Sequence, residues 1–437
     1  MLKKMPWKRI APTWRPALRL AVVSVLLTAA AATPAPWSPA HAGNMDHTQR
    51  HVIRYGVDVN IHDRNIGVRH ILRAFALIRG TGARYMRVGA GGWGRAEPEP
   101  GVYDFRPVDR LIRAARSRGL EVLLEVGGNV PAWDLPARAN PRHGFVTYAP
   151  ADCTGAANGD GSISGETDCA AFGRYIRRLT ANVAPLGVRY LIVWNEPQNF
   201  PKNWIPSHGE TVDQNAATYA RLLHQAYVNA HAVDPGIRIL NGGTEILPRG
   251  LLDILARYVR FPRLARASLR FTRDLYRDPR FCRSIDVLDV HVGPHGPRWS
   301  PQIVDASERA LMRCNGGRRV PVWITESGYP SLHVVQDYRP KPDLPPEHEA
   351  ELGPGYDQGP ASQAKYLHMT YRALAADPDV MGINWTFIVD PPYRGNPAQD
   401  GAGLGLVTED LRTRKPAYSA LRAIAAGGPG SIHRRLQ

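Results

Sequence analysis

The chain has 437 residues, 43% of them hydrophobic, with 55 Lys and Arg against 39 Asp and Glu for a formal charge of +16. That length is ample for one large core. After the first 42 residues no apolar run approaches the roughly 18 residues of a membrane span. The basic residues are mostly scattered and lack an aromatic platform, which argues against nucleic acid as a partner.

Residues 1–42 read as an export signal. Lys3, Lys4, Lys8, Arg9, Arg15 and Arg19 form a positive start, Leu20 to Ala32 is a short apolar stretch, and Ala40-His41-Ala42 is a small-x-small cleavage pattern before Gly43. The segment holds six Lys/Arg and no Asp/Glu, so its removal lowers the charge from +16 to +10. A lead-in over 43–52 follows, then a single barrel domain over 53–426 and a tail over 427–437. The expected product is an exported monomer, periplasmic or secreted, with no membrane association after cleavage.

Eight short apolar runs predict strands at Arg54–Asn60, Arg84–Gly89, Glu121–Gly127, Arg189–Asn195, Ile237–Asn241, Ile285–His291, Val320–Glu326 and Val380–Phe387. Helix-period segments lie between them at Val108–Arg118, Ala170–Val183, Ala216–Ala232 and Ser362–Ala376, and Pro416–Ala426 closes the chain. Repeated strand–helix alternation with no Gly-rich phosphate turn after the first strand predicts an α/β (β/α)8 TIM barrel over a doubly wound sheet. Gly127–Asp168, Thr244–Pro279, Gly328–Pro360 and Asp390–Leu406 are expected to be long loops. The dense arginine run Arg257, Arg260, Arg263, Arg266, Arg270, Arg273 and Arg277 reads as the solvated face of a helix.

Four cysteines in an exported chain predict two disulfides. Three connectivities are possible, and the neighbouring pairs Cys153–Cys169 and Cys282–Cys314 are favoured. Short Cys-x-x-Cys zinc spacings are absent. Asn158-Gly159-Asp160-Gly161-Ser162 imitates a calcium loop, but Ile163 stands where the turn needs Gly, so a solvated loop is expected. No cofactor and no metal are expected.

Two motifs carry chemistry: Trp194-Asn195-Glu196-Pro197 and Trp323-Ile324-Thr325-Glu326-Ser327-Gly328, each ending an apolar run. Carboxylates delivered by two strand ends are what glycosidic cleavage requires, one entering protonated and the other ionised. Across a barrel mouth, the fourth and seventh strand ends can bring Glu196 and Glu326 to the separation of a retaining pair.

On these motifs the chain resembles clan A of the glycoside hydrolases, and family 39 most closely. Trp93, Glu97-Pro98, Gly101-Val102-Tyr103-Asp104-Phe105, Pro131-Ala132-Trp133, Gln363-Ala364, Asn384-Trp385 and Lys415-Pro416-Ala417-Tyr418 extend the likeness over residues 53–425. The resemblance implies a retaining β-glycosidase with Glu196 as acid/base and Glu326 as nucleophile. Glu196 is expected to have a raised pKa, from its neighbour's charge and apolar surroundings. Arg87 would hold Glu326 ionised, Asn195 would bond the sugar 2-hydroxyl, and Trp385, Trp93 and Trp133 would contact sugar. Trp204 and Trp299 are further groove candidates, and Trp323 is expected in the core. Clan members often carry a Tyr on strand six that touches the nucleophile. Here the segment reads Asp289-Val290-His291, and His291 is the expected replacement. The expected partner is a polysaccharide or oligosaccharide, an acidic glycan being one candidate, with internal cleavage of bacterial exopolysaccharide as the leading reading. An exo-acting hydrolase and a non-catalytic sugar-binding barrel are the alternatives.

Overall fold

The computed structural model describes residues 52–59, 68–89, 92–135, 148–154, 168–199, 204, 212–258, 263–331, 359–391 and 403–427. The export signal, residues 43–51 of the lead-in, the Asn158–Ser162 loop and residues 428–437 of the tail lie outside them.

Eight strands form one parallel sheet: β1 Arg54–Asp58, β2 Tyr85–Gly89, β3 Glu121–Val126, β4 Tyr190–Val193, β5 Arg238–Leu240, β6 Leu288–Val292, β7 Val322–Ser327 and β8 Val380–Trp385. Their order is β5-β4-β3-β2-β1-β8-β7-β6. All eight expected strands are present, each shortened by one to three residues at one end or both. The sheet closes between β5 and β6 through a single parallel bridge, Leu240 to Val287. Beyond it the Asn241 side chain replaces backbone, accepting from the Asp289 amide at 2.7 Å and donating to its carbonyl at 3.0 Å. This is why β5 ends one residue before the expected Asn241. The result is the expected (β/α)8 barrel.

The helices are α1 Val68–Gly80, α2 Gly92–Ala96, α3 Arg106–Arg116, α4 Ala170–Val183, α5 Val212–His231, α6 Arg249–Tyr258, α7 Arg263–Leu275, α8 Pro279–Arg283, α9 Gly296–Cys314, α10 Pro360–Leu374 and α11 Pro416–Gly427. Proline stands in the first turn of α3, α8, α9 and α10, where no amide hydrogen is needed. Two corrections follow. The stretch Thr244–Pro279 is largely helical, holding α6 and α7, because tertiary packing of Leu251, Leu255, Phe271 and Leu275 outweighs its poor local signal. On α7 and just after it Arg266, Arg270, Arg273 and Arg277 face solvent, as the arginine run suggested. Helix α9, not among the expected helix segments, tolerates Pro301 in its first two turns.

Inside the barrel Leu123, Ile192, Leu240, Val287 and Trp323 form a separate apolar plug, with Tyr85, Tyr190 and Met381 packed against it. Trp323 is therefore core, as expected, and its Nε1 donates to Asn384 Oδ1 at 2.9 Å. Above the plug the interior turns polar. Both disulfides form: Cys153–Cys169 ties the turn Ala151–Cys153 to the start of α4, and Cys282–Cys314 ties α8 to the end of α9. Among the described residues no helix is long and apolar enough to cross a membrane.

Candidate active site

Strand alternation points Asp58 of β1, Arg87 of β2 and Glu125 of β3 into the barrel mouth. The Arg87 guanidinium, 1% exposed, donates from Nη1 to Asp58 Oδ2 at 3.0 Å and to Glu326 Oε1. Its Nη2 donates to Glu125 Oε2 at 2.7 Å and Asn195 Oδ1 at 2.6 Å. Burial opposes its charge, but the three carboxylates hold its pKa well above the ordinary arginine value.

Backbone irregularity aims the two glutamates. The β6–β7 register shifts, from Asp289 opposite Trp323 to His291 opposite Glu326, so one extra β7 residue lies between the pairings. A bulge of this kind re-aims side chains, and it lets both Thr325 and Glu326 reach the mouth. After β4, Trp194 and Glu196 take left-handed backbone, with φ of 70° and 43°. The Glu196 amide then donates to Gly242 O at 2.8 Å, fixing the turn against the segment after β5. Such strain in residues other than glycine concentrates where structure over-determines it.

The mouth of β6 joins the glutamates. His291 Nδ1 lies 2.9 Å from Glu196 Oε1, and its Nε2 lies 3.0 Å from Thr325 Oγ1 and 3.8 Å from Glu326 Oε1. The Thr325 hydroxyl donates to Asp289 Oδ1 at 2.6 Å. Asn199 Nδ2 donates to Glu196 Oε2 at 3.1 Å. One oxygen of Glu196, one oxygen of Glu326 and a ring nitrogen of His291 lie within 4.8 Å of one another.

Electrostatics correct one expectation. Burial pushes the Glu196 pKa up, but hydrogen bonds from His291 and Asn199 and the positive charges of His291 and Arg87 win, bringing it down to about 2. Burial pushes His291 down, and the charges and hydrogen bond of Glu326, Glu196 and Asp289 win, raising it to about 9. In the free protein the pair is therefore imidazolium and carboxylate. Burial raises Asp58 to about 7, with Arg87 opposing and Glu326 and Glu125 assisting.

Three further acids here escaped the sequence reading: Asp58, Glu125 and Asp289. A fourth, Glu245, follows β5, accepts from Gln198 Nε2 at 3.0 Å, and is raised to about 8 by burial and by the charge of Glu196. Their signal was present, since each lies at or within five residues of a strand end. None sits in a recognisable motif.

Of the expected site residues, the mouth brings together Glu196, Glu326, Asn195, Arg87 and His291. The tryptophans lie elsewhere in character. Trp93 is fully buried, bonds Glu97 Oε2 at 2.6 Å, and packs edge-on to Trp133 and against Phe172 and Tyr175. Trp133 is half-buried and donates to Glu97 O at 3.0 Å. Trp385 is fully buried between Tyr366 and Tyr371, with its Nε1 on Leu404 O at 2.7 Å. Trp204 and Trp299 are buried too. The indole N–H groups of Trp93, Trp133, Trp385 and Trp204 find internal acceptors at Glu97, Leu404 or Asn215, whereas that of Trp299 is buried with none among the described residues.

Glu196, His291 and Glu326 do not suit a metal ion. Both ring nitrogens of His291 are engaged in hydrogen bonds, and Arg87 occupies the Glu326 oxygen nearest the ring. A second acidic trio, Glu308, Asp377 and Asp379, lies on α9 and just before β8, with Asp379 paired to Arg319.

A profile of glycoside hydrolase family 42, described as β-galactosidase, matches residues 66–141. Among curated proteins none matches the sequence. Solved structures similar to this chain include a family 39 glycoside hydrolase from Bacteroides cellulosilyticus, with 17% identity and a TM-score of 0.52 over 86% of this chain and 64% of that one. A family 5, subfamily 18 enzyme from Streptomyces cattleya, in complex with Manβ1-4GlcNAc, shows 19% identity and a TM-score of 0.55 over 86% and 80%. A family 39 β-xylosidase from Caulobacter crescentus shows 17% and 0.50 over 86% and 71%. This chain thus spans less than two thirds of the length of the Bacteroides protein. The likeness at these identities is one of fold, and it is shared between families 39 and 5. The chain is a (β/α)8 barrel, the fold it shares with these glycoside hydrolases.

Proposed function

We propose that the protein is a retaining β-glycosidase that hydrolyses a polysaccharide by double displacement, with Glu326 as nucleophile and Glu196 as acid/base. The observation that carries this is the approach of the two carboxylates to within 4.8 Å. Retaining pairs stand about 5–5.5 Å apart, whereas inverting pairs need roughly 6.5–9.5 Å to admit a water between them. Arg87 keeps Glu326 ionised by a charge-assisted hydrogen bond. Because Asn195 Oδ1 is taken by Arg87, its amide N–H2 is left for the sugar 2-hydroxyl.

Azide kinetics test the assignment. With activated aryl β-glycosides, Glu326→Ala and Glu196→Ala should both lose at least about 1,000-fold in turnover. Added azide should rescue Glu326→Ala and yield the inverted glycosyl azide. Wild-type product of inverted configuration, read by NMR, would refute double displacement.

The sugar proposed at the cleavage point is uncharged. Arg87 is engaged there by Asp58, Glu125 and Glu326, and His291 by Glu196 and Glu326, so neither cation is left for a uronate. The disaccharide held by the Streptomyces cattleya enzyme is a neutral first probe. Long segments after β3, β7 and β8 support an extended cleft and internal cleavage; the buried tryptophans lend it nothing. Early release of monosaccharide alone would overturn internal cleavage. The signal-like residues 1–42 and two formed disulfides support an exported enzyme.

A further inference from the structure

We propose that His291 holds the proton that Glu196 delivers to the leaving group, and that the charge on Glu326 controls its release. The idea rests on the retaining assignment above.

Hydrogen-bond direction fixes half of it. The Thr325 hydroxyl gives its single hydrogen to Asp289 Oδ1, so it can only accept from His291, and Nε2 carries a hydrogen. Nδ1 faces Glu196 Oε1 at 2.9 Å, so one further proton sits between those two atoms. Surrounding charge decides on which side. Facing the ring are Glu196 from β4, Glu326 from β7 at 3.8 Å, and Asp289 from β6 itself through Thr325. Glu245 beyond β5 and Asp58 on β1 stand further out, both pushed towards the neutral form by burial. The nearby cation, Arg87 of β2, is spent on Asp58, Glu125 and Glu326. Burial pushes Asp289 towards the neutral form as well, with His291 and Arg87 opposing, and an imidazolium held between Glu196 and Glu326 is the favoured state, consistent with a His291 pKa of about 9.

The same charges make release conditional. Among the charges that raise His291, that of Glu326 is the largest. When Glu326 attacks the anomeric carbon, its carboxylate becomes an ester and that charge disappears. The carbon–oxygen bond to the leaving group breaks, and its electron pair takes a proton from Glu196. That proton reaches Glu196 from His291 Nδ1 as the bond breaks, leaving Glu196 a carboxylate and His291 a neutral imidazole with its hydrogen on Nε2. Water then attacks the ester, gives its proton through Glu196 back to His291, and regenerates the Glu326 carboxylate. Both ring nitrogens of His291 are engaged, with Glu196 and with Thr325, so it acts through Glu196 as a positioning residue that stores charge. Proton affinity falls in the step that needs the proton.

The test needs no substrate at first. The full chain labelled with 15N-histidine is titrated by NMR as wild type and as Glu326→Gln, which keeps the shape of the side chain and removes its charge. His291→Asn assigns the signal. The expected result is an imidazolium that persists well above the ordinary histidine range in wild type, and a proton held at least about tenfold more weakly in Glu326→Gln. A wild-type midpoint near the ordinary value, or one unmoved by Glu326→Gln, overturns the proposal. Leaving-group dependence supplies the second readout. His291→Asn should lose roughly 100-fold or more in kcat/KM on β-glycosides with poor leaving groups and less than about tenfold on dinitrophenyl glycosides, which need little proton assistance. Equal losses on both would reduce His291 to scaffolding. No turnover on any glycoside sinks the retaining assignment and this proposal together, whereas turnover with an unmoved His291 midpoint sinks the proton store alone.

Discussion

Four hydrogen bonds leave the Arg87 guanidinium for Asp58, Glu125, Asn195 and Glu326, each partner coming from a different strand or strand end. A buried cation so placed does two things at once. It neutralises acids that could not otherwise share one cavity, and it fixes the orientation of Glu326. Removing one partner of a buried charge network typically costs about 3–5 kcal/mol, because the remaining charges lose their compensation. Arg87→Met should therefore lower unfolding free energy by that order in urea titration and abolish turnover. Unchanged stability would mean the acids protonate at little cost. A motif names a position at a strand end, which is how the sequence places Glu196 and Glu326 at the ends of β4 and β7. It does not say what an indole packs against, and the surroundings of Trp93 and Trp385, among them Phe172, Tyr371 and a carbonyl oxygen, emerge only in the folded chain.

At the scale of elements, the segment after β5 sets the depth of the site. Gly243 has φ of +75°, and a Cβ there would lie 2.2 Å from His291 Nε2. The glycine lets the β5 segment press on the imidazole and hold it against Glu196. Gly243→Ala should displace the ring, cost about 1–3 kcal/mol for the left-handed backbone and the clash, and lower kcat sharply. A fully active variant would show that the ring can be held without this contact. Helices α6 and α7 carry a related lesson. Their burial against the barrel, through Leu251, Leu255, Phe271 and Leu275, is tertiary, and their local sequence does not announce it.

For the whole molecule, charge is distributed against the overall balance. A basic chain, +16 in full and +10 without residues 1–42, surrounds a mouth where six acidic side chains stand around Arg87 and His291. Stability must then depend on pH with a definite sign. His291 is raised from 6.5 to about 9, so its contribution is complete below the unfolded value of 6.5 and is lost as pH rises through 9. Glu196 is lowered from 4.5 to about 2, so its contribution is complete above 4.5 and is lost as pH falls towards 2. These describe one ion pair seen from both sides, worth on the order of 3 kcal/mol. Unfolding free energy should form a plateau between about pH 4.5 and 6.5 from this pair, and His291→Asn should flatten the alkaline fall. Asp58 adds a fall of the same sign at lower pH, since its value is raised from 3.8 to about 7 and its contribution, complete below 3.8, is lost as pH rises through 7. An identical alkaline slope in wild type and His291→Asn would show that the pair contributes nothing.

Sequence alone determined the eight-strand alternation and the strand ends that carry Asn195, Glu196 and Glu326, and it favoured the two cysteine pairs that the folded chain forms. Those features depend on local periodicity and on motifs read along one stretch of chain. Tertiary structure alone decided which acids share a cavity, because Asp58, Glu125, Glu245 and Asp289 become neighbours only when the sheet closes through Leu240 and Asn241. It also decided where the proton rests. Glu196 was expected to keep its own proton in apolar surroundings, yet the closed barrel sets an imidazole beside it and two more carboxylates around that imidazole. Proton affinity is a property of every charge within a few ångströms, and a linear sequence does not contain those distances.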